Sequence, residues 1–343
     1  MHEDFMLAAI EQSKNGFPAP NPRVGCVIVK EGQIVGRGFC AHDGADHAEV
    51  MALRDAGQLA EGATAYVTLE PCNHFGRTPP CSHALVKAGI VHVVIATLEE
   101  NPVAVAGVDY LSDNGVFVES TVLARKAAEV NAQFLFAMRH RRPMVTVKAG
   151  MTLDGKIALP SGESKWITSE ASRLDAMRLR AECGCVLVGR TTAEQDKARL
   201  TVRGIDVANQ PLRVVVDPRD VLDQSMPIFD GSAPTLHLTN SGQPFSAEEI
   251  LQRIWDQKQI GILIEGGPTT AARFFEEGLV DQIVLYIAPK VFGEGKSWVG
   301  TFGLSDLSSS PSFELAETRV IDGDIKLTYR SRNLAQFIAS YNM

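Results

Sequence analysis

The chain has 343 residues, 45% of them hydrophobic, and a formal net charge of 33 − 41 = −8. Such a length suits about two domains with ordinary apolar cores, and the acidic balance argues against a nucleic-acid binder, which carries a basic stripe. No apolar run approaches the roughly 20 residues that a membrane-spanning helix needs, and the opening MHEDFMLAAIEQ carries acid where a secretion signal needs basic residues.

A cytoplasmic protein is therefore expected. In that compartment its six cysteines are expected to stay reduced, bound to metal or packed in the core.

In chain order, VGCVIVK (24–30) and QIVGRGF (33–39) flank the turn Glu31-Gly32 and predict a strand pair. HAEVMALRDAG (47–57) has helical spacing and closes on Gly57. TAYVTLE (64–70) predicts a strand, CSHALVKAG (81–89) a helix, and VHVVIAT (91–97) a buried strand, apolar throughout. A short helix near 107–114, a strand at 116–120 and one long helix over 123–140 complete the first half.

HRRP (140–143) breaks the alternation, which places domains at 1–142 and 143–343. The second half predicts strands at 144–150, 185–189, 212–217 and 234–239, and a helix over 170–182 capped by Ser169. Ser246 and Glu249 form a capping box for a helix ending near Lys258. The strand GILIEGG, a helix over 268–278, the strand 282–289 and a hairpin around Asp322-Gly323-Asp324 follow. Strands interleaved with helices imply two layered α/β domains.

The stretch PCNHFGRTPPC (71–81) carries the strongest chemical signal. His47 and Glu49 start one predicted helix, Cys72 follows a strand, and Cys81 opens the next helix behind Pro79-Pro80. One imidazole and two thiolates suit zinc and leave a fourth tetrahedral position open, where a bound water ionises near pH 7. Residues i and i+2 lie about 200° apart on a helix, so Glu49 is not placed to ligate beside His47. It is placed to carry protons, as in the H-x-E…P-C…C pattern of zinc deaminases.

Two plainer readings of the same residues stay open. His74 could complete a closed two-Cys, two-His structural site, or the cysteines could simply be buried. Cys26, Cys40, Cys183 and Cys185 lie in apparent strands and read as packing residues. The eight residues NHFGRTPP between Cys72 and Cys81 must lie beside any metal, offering Asn73, His74 and Arg77 to an acidic or phosphorylated ligand.

In the second half, ILIEGGPTTAARFF reads as strand, glycine turn and helix, and VGRTTAEQD (188–196) repeats the scheme with Gly189, Thr191 and Thr192. Helix-start N–H groups can cradle a pyrophosphate, although tight turns also need glycine for steric reasons alone. The spacing is not GxGxxG, so a Rossmann domain is not expected.

PNPRVGCVIV, HAEVMAL, TLEPCNHFGRTPPC and Ala106-Gly107 resemble the deaminase half of the bifunctional riboflavin-biosynthesis deaminase–reductases. KAGMTLDGKIA, SGESKWITS, LRAE, VLVGRTT, LTVR and IEGGPTTAARFFEEGLVDQIVLYIAPKVFG resemble their reductase half, in the same order. The resemblance implies a cytidine-deaminase-like three-layer α/β/α domain followed by a dihydrofolate-reductase-like α/β domain. It also implies zinc, NADPH and a phosphorylated diaminopyrimidinone ribosylamine as substrate, with neither a nucleic-acid nor a membrane partner. Domains of this kind often pair, so a homo-oligomer is expected.

Carried over by residue, His47, Cys72 and Cys81 match the zinc ligands, Glu49 the proton shuttle, and Asn21, His42, His74 and Arg77 the pyrimidine and phosphate pocket. Ser164, Arg180, Leu200, Arg203 and Glu265 match the reductase substrate pocket. Gly150, Trp166, Thr192, Asp196 and the run Gly267, Pro268, Thr269, Thr270, Ala271, Ala272 and Arg273 match NADPH contacts. Hydride addition to an imine develops charge on nitrogen, so a nearby acid helps; Lys156, Asp196 and Glu265 are the polar candidates. Asp109, Gly184, Ala198 and Pro218 depart from the family pattern.

Overall fold

In the computed structural model, which describes residues 2–76 and 79–342, the chain opens with α1 (His2–Ser13), a helix the hydrophobic spacing did not announce. Its Met6, Ala9 and Ile10 are buried against Val27, Val29 and Tyr66. The predicted hairpin forms as β1 (Gly25–Lys30) and β2 (Gln33–Phe39), antiparallel with a register shift between Ile28 and Val29. Next come α2 (Ala48–Ala56), β3 (Thr64–Leu69), α3 (Cys81–Lys87), β4 (His92–Thr97), α4 (Gly107–Asp113) and β5 (Phe117–Glu119).

The sheet order is β2-β1-β3-β4-β5, with β3, β4 and β5 parallel. α1 covers the sheet face that carries Val27 and Val29, and α2 covers the opposite face. There α2 approaches so closely that a Cβ on Gly38 would lie 2.1 Å from the Ala48 carbonyl oxygen, so only glycine permits the contact that seats the start of α2. The result is a three-layer α/β/α unit.

The predicted single helix over 123–140 is instead two, α5 (Ala124–Val130) and α6 (Ala132–His140). They divide at Asn131, which leaves helical geometry at φ −102° and ψ 17°. Its side-chain oxygen accepts the Arg23 N–H at 2.9 Å, a use of asparagine that competes with regular helix.

The second unit is built from β6 (Met144–Thr152), β7 (Lys156–Ala158), α7 (Glu170–Cys183), β8 (Cys185–Gly189), α8 (Arg190–Asp196), β9 (Leu212–Val216) and β10 (Thr235–Leu238). It continues with α9 (Ala247–Asp256), β11 (Gly261–Ile264), α10 (Pro268–Glu276), β12 (Gln282–Ala288), β13 (Lys296–Ser297), β14 (Phe313–Ile321) and β15 (Asp324–Ser331), and the following helix α11 (Arg332–Ala339) begins in it. Ser169 caps α7 by accepting the Ser172 N–H, and the Ser246–Glu249 box caps α9, both as their spacing predicts.

The main sheet runs β10-β9-β8-β11-β6-β12-β15-β14, parallel except at β15 and β14. Its central strands β6, β8, β9 and β11 are largely buried, with Val145, Val147, Leu187, Val214, Ile262 and Ile264 in one core, whereas β14 is largely exposed. The loops after β8 and β11 leave from the carboxyl ends of neighbouring parallel strands, where open α/β sheets bind ligands.

The chain divides between Arg141 and Arg142, but residues from Gln336 onward belong to the first unit. The expected span 143–343 therefore loses its tail. Phe337 packs edge-on against Phe136 with ring centroids 5.5 Å apart, and the Tyr341 hydroxyl donates to Glu100 at 2.7 Å. No compositional break marks this return, because contacts with residues distant in the chain, Phe136 and Glu100, hold it.

Candidate active sites

In the first unit His47 is the N-cap residue of α2, in extended geometry, and Glu49 lies in the first turn. Cys72 follows β3, and Cys81 opens α3 behind Pro80. These positions bring His47 Nδ1 to 3.2 Å from Cys81 Sγ and 3.5 Å from Cys72 Sγ. The three donor atoms all lie within 4.8 Å of one another.

Cys72 accepts the Cys81 N–H at 3.5 Å. Bonding to Cys81 and to His47 draws the Cys72 thiol down, so a thiolate is readily formed. Glu49 is 3% exposed, and burial, reinforced by Cys72, pushes its carboxyl up to about 7. A nitrogen, two sulfurs and a buried carboxylate beside them fit zinc. A closed site through His74 finds no support among the described residues, since His74 is absent from the converging set.

His47, Glu49 and Cys72 line a cavity of about 300 Å³. Asn21 lines it, and its amide donates to Asp43 at 3.0 Å. His74 lines it as well, with Nδ1 buried and without a hydrogen-bond partner among the described residues. His42 does not line it; its Nδ1 lies 2.9 Å from the Asp43 carbonyl oxygen. Arg77 lies outside the described residues.

Sequence reasoning missed Glu70, Glu99, Asn101 and Phe134 on the cavity wall. Glu70, after β3, accepts the N–H groups of Gly107, Val108 and Glu99, pinning both ends of the loop between β4 and α4. Burial pushes Glu99 up to about 7. Cys40, expected to be a packing residue, is buried but also lines the cavity.

In the second unit a cavity of about 710 Å³ is lined by Gly150, Ser164, Trp166, Arg180, Thr192 and Asp196, and by Leu200, Arg203, Glu265, Gly267 and Pro268. Lys165, Arg173, Lys197, Arg199 and Lys296 add positive charge to its wall, which suits a phosphate-bearing dinucleotide.

Several expected contacts are placed otherwise. Lys156 is not on the wall; its N–H donates to the Thr152 hydroxyl in the turn before β7. Thr269, Thr270, Ala271, Ala272 and Arg273 are off the wall too. Ala271 and Ala272 are buried, and Arg273 donates to the Phe245 carbonyl. The Gly267 N–H is already taken by the Thr192 hydroxyl at 2.9 Å, so that amide is not free for a pyrophosphate.

Arg180 grips Glu265 with two bonds of 2.8 Å and donates to the Thr201 carbonyl, which makes it a strut. Arg203, whose Nη1 donates to the Thr201 hydroxyl at 3.3 Å, is pulled down by burial and by its neighbours Arg180 and Arg199. Lys148, on β6, lines the cavity with Nζ 3.9 Å from Glu265 Oε2. The signal that could have found it is a lone charge inside the apolar strand MVTVKAG.

Residues 143–327 match the RibD C-terminal domain, and residues 1–97 match the cytidine and deoxycytidylate deaminase zinc-binding region. The riboflavin biosynthesis protein RibD of Aquifex aeolicus is 39% identical over 96% of this chain and 98% of its own length. The chain belongs to the RibD family. Escherichia coli RibD is 36% identical over 95% of this chain and 98% of its own. The structure of Acinetobacter baumannii RibD, form 1, superposes with a TM-score of 0.87 at 39% identity, covering 96% of this chain and 98% of that one.

The Thermotoga maritima diaminohydroxyphosphoribosylaminopyrimidine deaminase/5-amino-6-(5-phosphoribosylamino)uracil reductase gives a TM-score of 0.87 at 34% identity, again over 96% and 98%.

As a RibD protein, the chain is a bifunctional enzyme of riboflavin biosynthesis, with a zinc-dependent deaminase domain and an NADPH-dependent reductase domain acting on small molecules. Among the described residues no helix is long and apolar enough to cross a membrane. Two of its departures from the RibD pattern have local reasons. Gly184 is the left-handed C-cap of α7 at φ 72°, a conformation that favours glycine, and Asp109 sits in the first turn of α4, where acid suits the helix dipole. Ala198 is buried on the cavity wall. Pro218 uses its carbonyl to accept the N–H groups of Asn240 and Gly242.

Proposed function

We propose that the first unit hydrolyses the 2-amino group of 2,5-diamino-6-(5-phosphoribosylamino)pyrimidin-4(3H)-one. The second unit then reduces the ribosyl chain of 5-amino-6-(5-phosphoribosylamino)uracil to a ribitylamino phosphate. The observation that carries this reading is the convergence of His47, Cys72 and Cys81 within 4.8 Å beside a cavity lined by His47, Cys72 and buried Glu49.

His47, Cys72 and Cys81 would hold zinc, whose Lewis acidity lets water ionise near neutral pH. Glu49 takes a proton from the attacking water and returns one to the departing ammonia. Its carboxyl near 7 suits a group that both accepts and donates at neutral pH. Asn21, held by Asp43, presents an amide to the pyrimidine edge, and His74 and Arg77 stand for the phosphate side.

In the second unit Gly150, Trp166, Thr192 and Gly267 would hold NADPH, which when bound would supply a hydride to C1 of the ring-opened ribosyl imine. Of the candidate acids Lys156, Asp196 and Glu265, the latter two share the wall with Lys148, and Lys148, which lies there where Lys156 does not, gives a proton to the imine nitrogen. Arg180 locks Glu265 in place. Ser164, Leu200 and Arg203 face the substrate, with Arg203 toward its phosphate. Gly150, Trp166, Thr192 and Gly267 face the cofactor.

We further infer a homo-oligomer in the cytoplasm. β14 is an edge strand with Leu315 and Val320 exposed on it, a surface that isolated chains seldom leave bare. The cysteines are free thiols, in keeping with a reducing compartment.

The test is metal analysis of the purified protein, light scattering, and an ultraviolet assay on the diamino substrate with and without NADPH. Stoichiometric zinc and a spectral change that precedes NADPH use are expected. Deaminase turnover undiminished in zinc-free protein would refute the reading.

A further inference from the structure

Trp166 presents a puzzle of its own. The residue is 64% exposed, yet the segment that carries it, outside any helix or strand, is held at three successive carbonyls. The carbonyls of Trp166 and Ile167 accept from Lys290 Nζ at 2.9 and 2.7 Å. The next carbonyl, of Thr168, accepts from Arg173 Nη1 at 2.6 Å. The same guanidinium lies over the indole, 4.4 Å from the ring centroid, a cation–π contact.

The base of Lys290 is itself fixed. Its carbonyl accepts the Leu153 N–H at 2.8 Å. Two residues on, the Asp154 carboxylate accepts the N–H groups of Phe292 and Gly293 at 3.2 and 2.8 Å, and also the Thr152 hydroxyl at 2.6 Å. Lys290 thus ties the turn after β6 and the loop after β12 to the backbone beneath the indole.

A loop whose carbonyls were left to water would let a large exposed ring sample several rotamers, and each ligand would have to order it on binding. Here three successive carbonyls are taken by two cations from different elements, and the ring lines the large cavity. We propose that Lys290 and Arg173 are positioning residues that pre-order Trp166 as a stacking platform for bound NADPH. This rests on the reading that Trp166 touches the cofactor, and it assigns Lys290 and Asp154 tasks outside the chemistry. Asp154 is the anchor of the loop after β12 as well as a turn residue.

The test uses full-length, zinc-loaded protein with Lys290→Met, Lys290→Arg, Arg173→Met and Trp166→Ala. Deaminase turnover in the same preparations reports intact protein. Lys290→Met is expected to raise KM for NADPH about tenfold with kcat within about twofold, because pre-organisation is lost and the reacting groups are not. Lys290→Arg is expected to restore most of it.

In a background carrying Trp255→Phe and Trp298→Phe, Trp166 is the sole tryptophan. There Lys290→Met should raise acrylamide quenching and lower fluorescence anisotropy. The proposal is overturned if Lys290→Met leaves both KM and Trp166 anisotropy unchanged, or if Lys290→Arg behaves like Lys290→Met. If Trp166→Ala leaves KM for NADPH unchanged, the cofactor assignment of Trp166 fails on its own. The anisotropy change would then still show that Lys290 orders the ring.

Discussion

Arg180 and Glu265 close a two-pronged ion pair in the second unit, with Nε and Nη2 each 2.8 Å from a different carboxylate oxygen. Burial alone would push Glu265 up, but Arg180 and then Lys148 outweigh it and hold the carboxyl at about 2. A group depressed on folding contributes stability above its unfolded value, ordinarily near 4.5, and loses it as pH falls through the folded value. The second unit should therefore lose roughly 3 kcal/mol between about pH 4.5 and pH 2 from this group. All three tryptophans, 166, 255 and 298, lie in this unit, so denaturant unfolding followed by their fluorescence reads it alone. Glu265→Gln should flatten that acid limb and cost about 3–5 kcal/mol at neutral pH by stranding Arg180. An unchanged midpoint would show the pair to be dispensable.

Glu49→Ala should retain zinc and abolish deamination, with a loss of at least about a hundredfold to ten-thousandfold. Reduction of supplied 5-amino-6-(5-phosphoribosylamino)uracil should continue. Stripping zinc with a chelator should stop deamination equally and leave that reduction intact. Metal content by emission spectroscopy and the two separate assays check both. Surviving turnover in the metal-bearing variant would remove Glu49 from the chemistry.

Lys148 and Lys156 are separable by substitution. Lys148→Met should lower reductase kcat by about two orders of magnitude or more, as loss of a general acid does. Lys156→Met, off the cavity wall, should change it by less than about threefold. Steady-state reduction of the deaminated intermediate gives the comparison, and equal losses would return the acid role to Lys156.

NADPH should be oxidised only after deamination. With the diamino compound and an enzyme stripped of zinc, absorbance at the nicotinamide band should stay flat; restoring zinc should start its decline after a lag. Immediate oxidation would reverse the order of the two steps.

Much of this molecule was legible before folding. The caps at Ser169 and Ser246, the hairpin through Glu31-Gly32 and the apolar strand 91–97 are local signals, and each produces its element. The convergence of His47, Cys72 and Cys81 was equally legible, because a helix start, a strand end and a second helix start each fix one side chain relative to its own backbone. The misses are of another kind. The break at Asn131 depends on Arg23, more than a hundred residues away, and the tail's return to the first unit depends on Phe136 and Glu100.

The sequence by itself determined which donors could bind zinc and where two α/β cores begin, since both follow from short-range periodicity and capping. Only the tertiary structure decided that Arg180 is a strut, that the Gly267 amide is spent on Thr192, and that Lys148 reaches the cavity where Lys156 does not. Those outcomes turn on which side chains from distant strands meet across a sheet end, and no local spacing encodes such meetings.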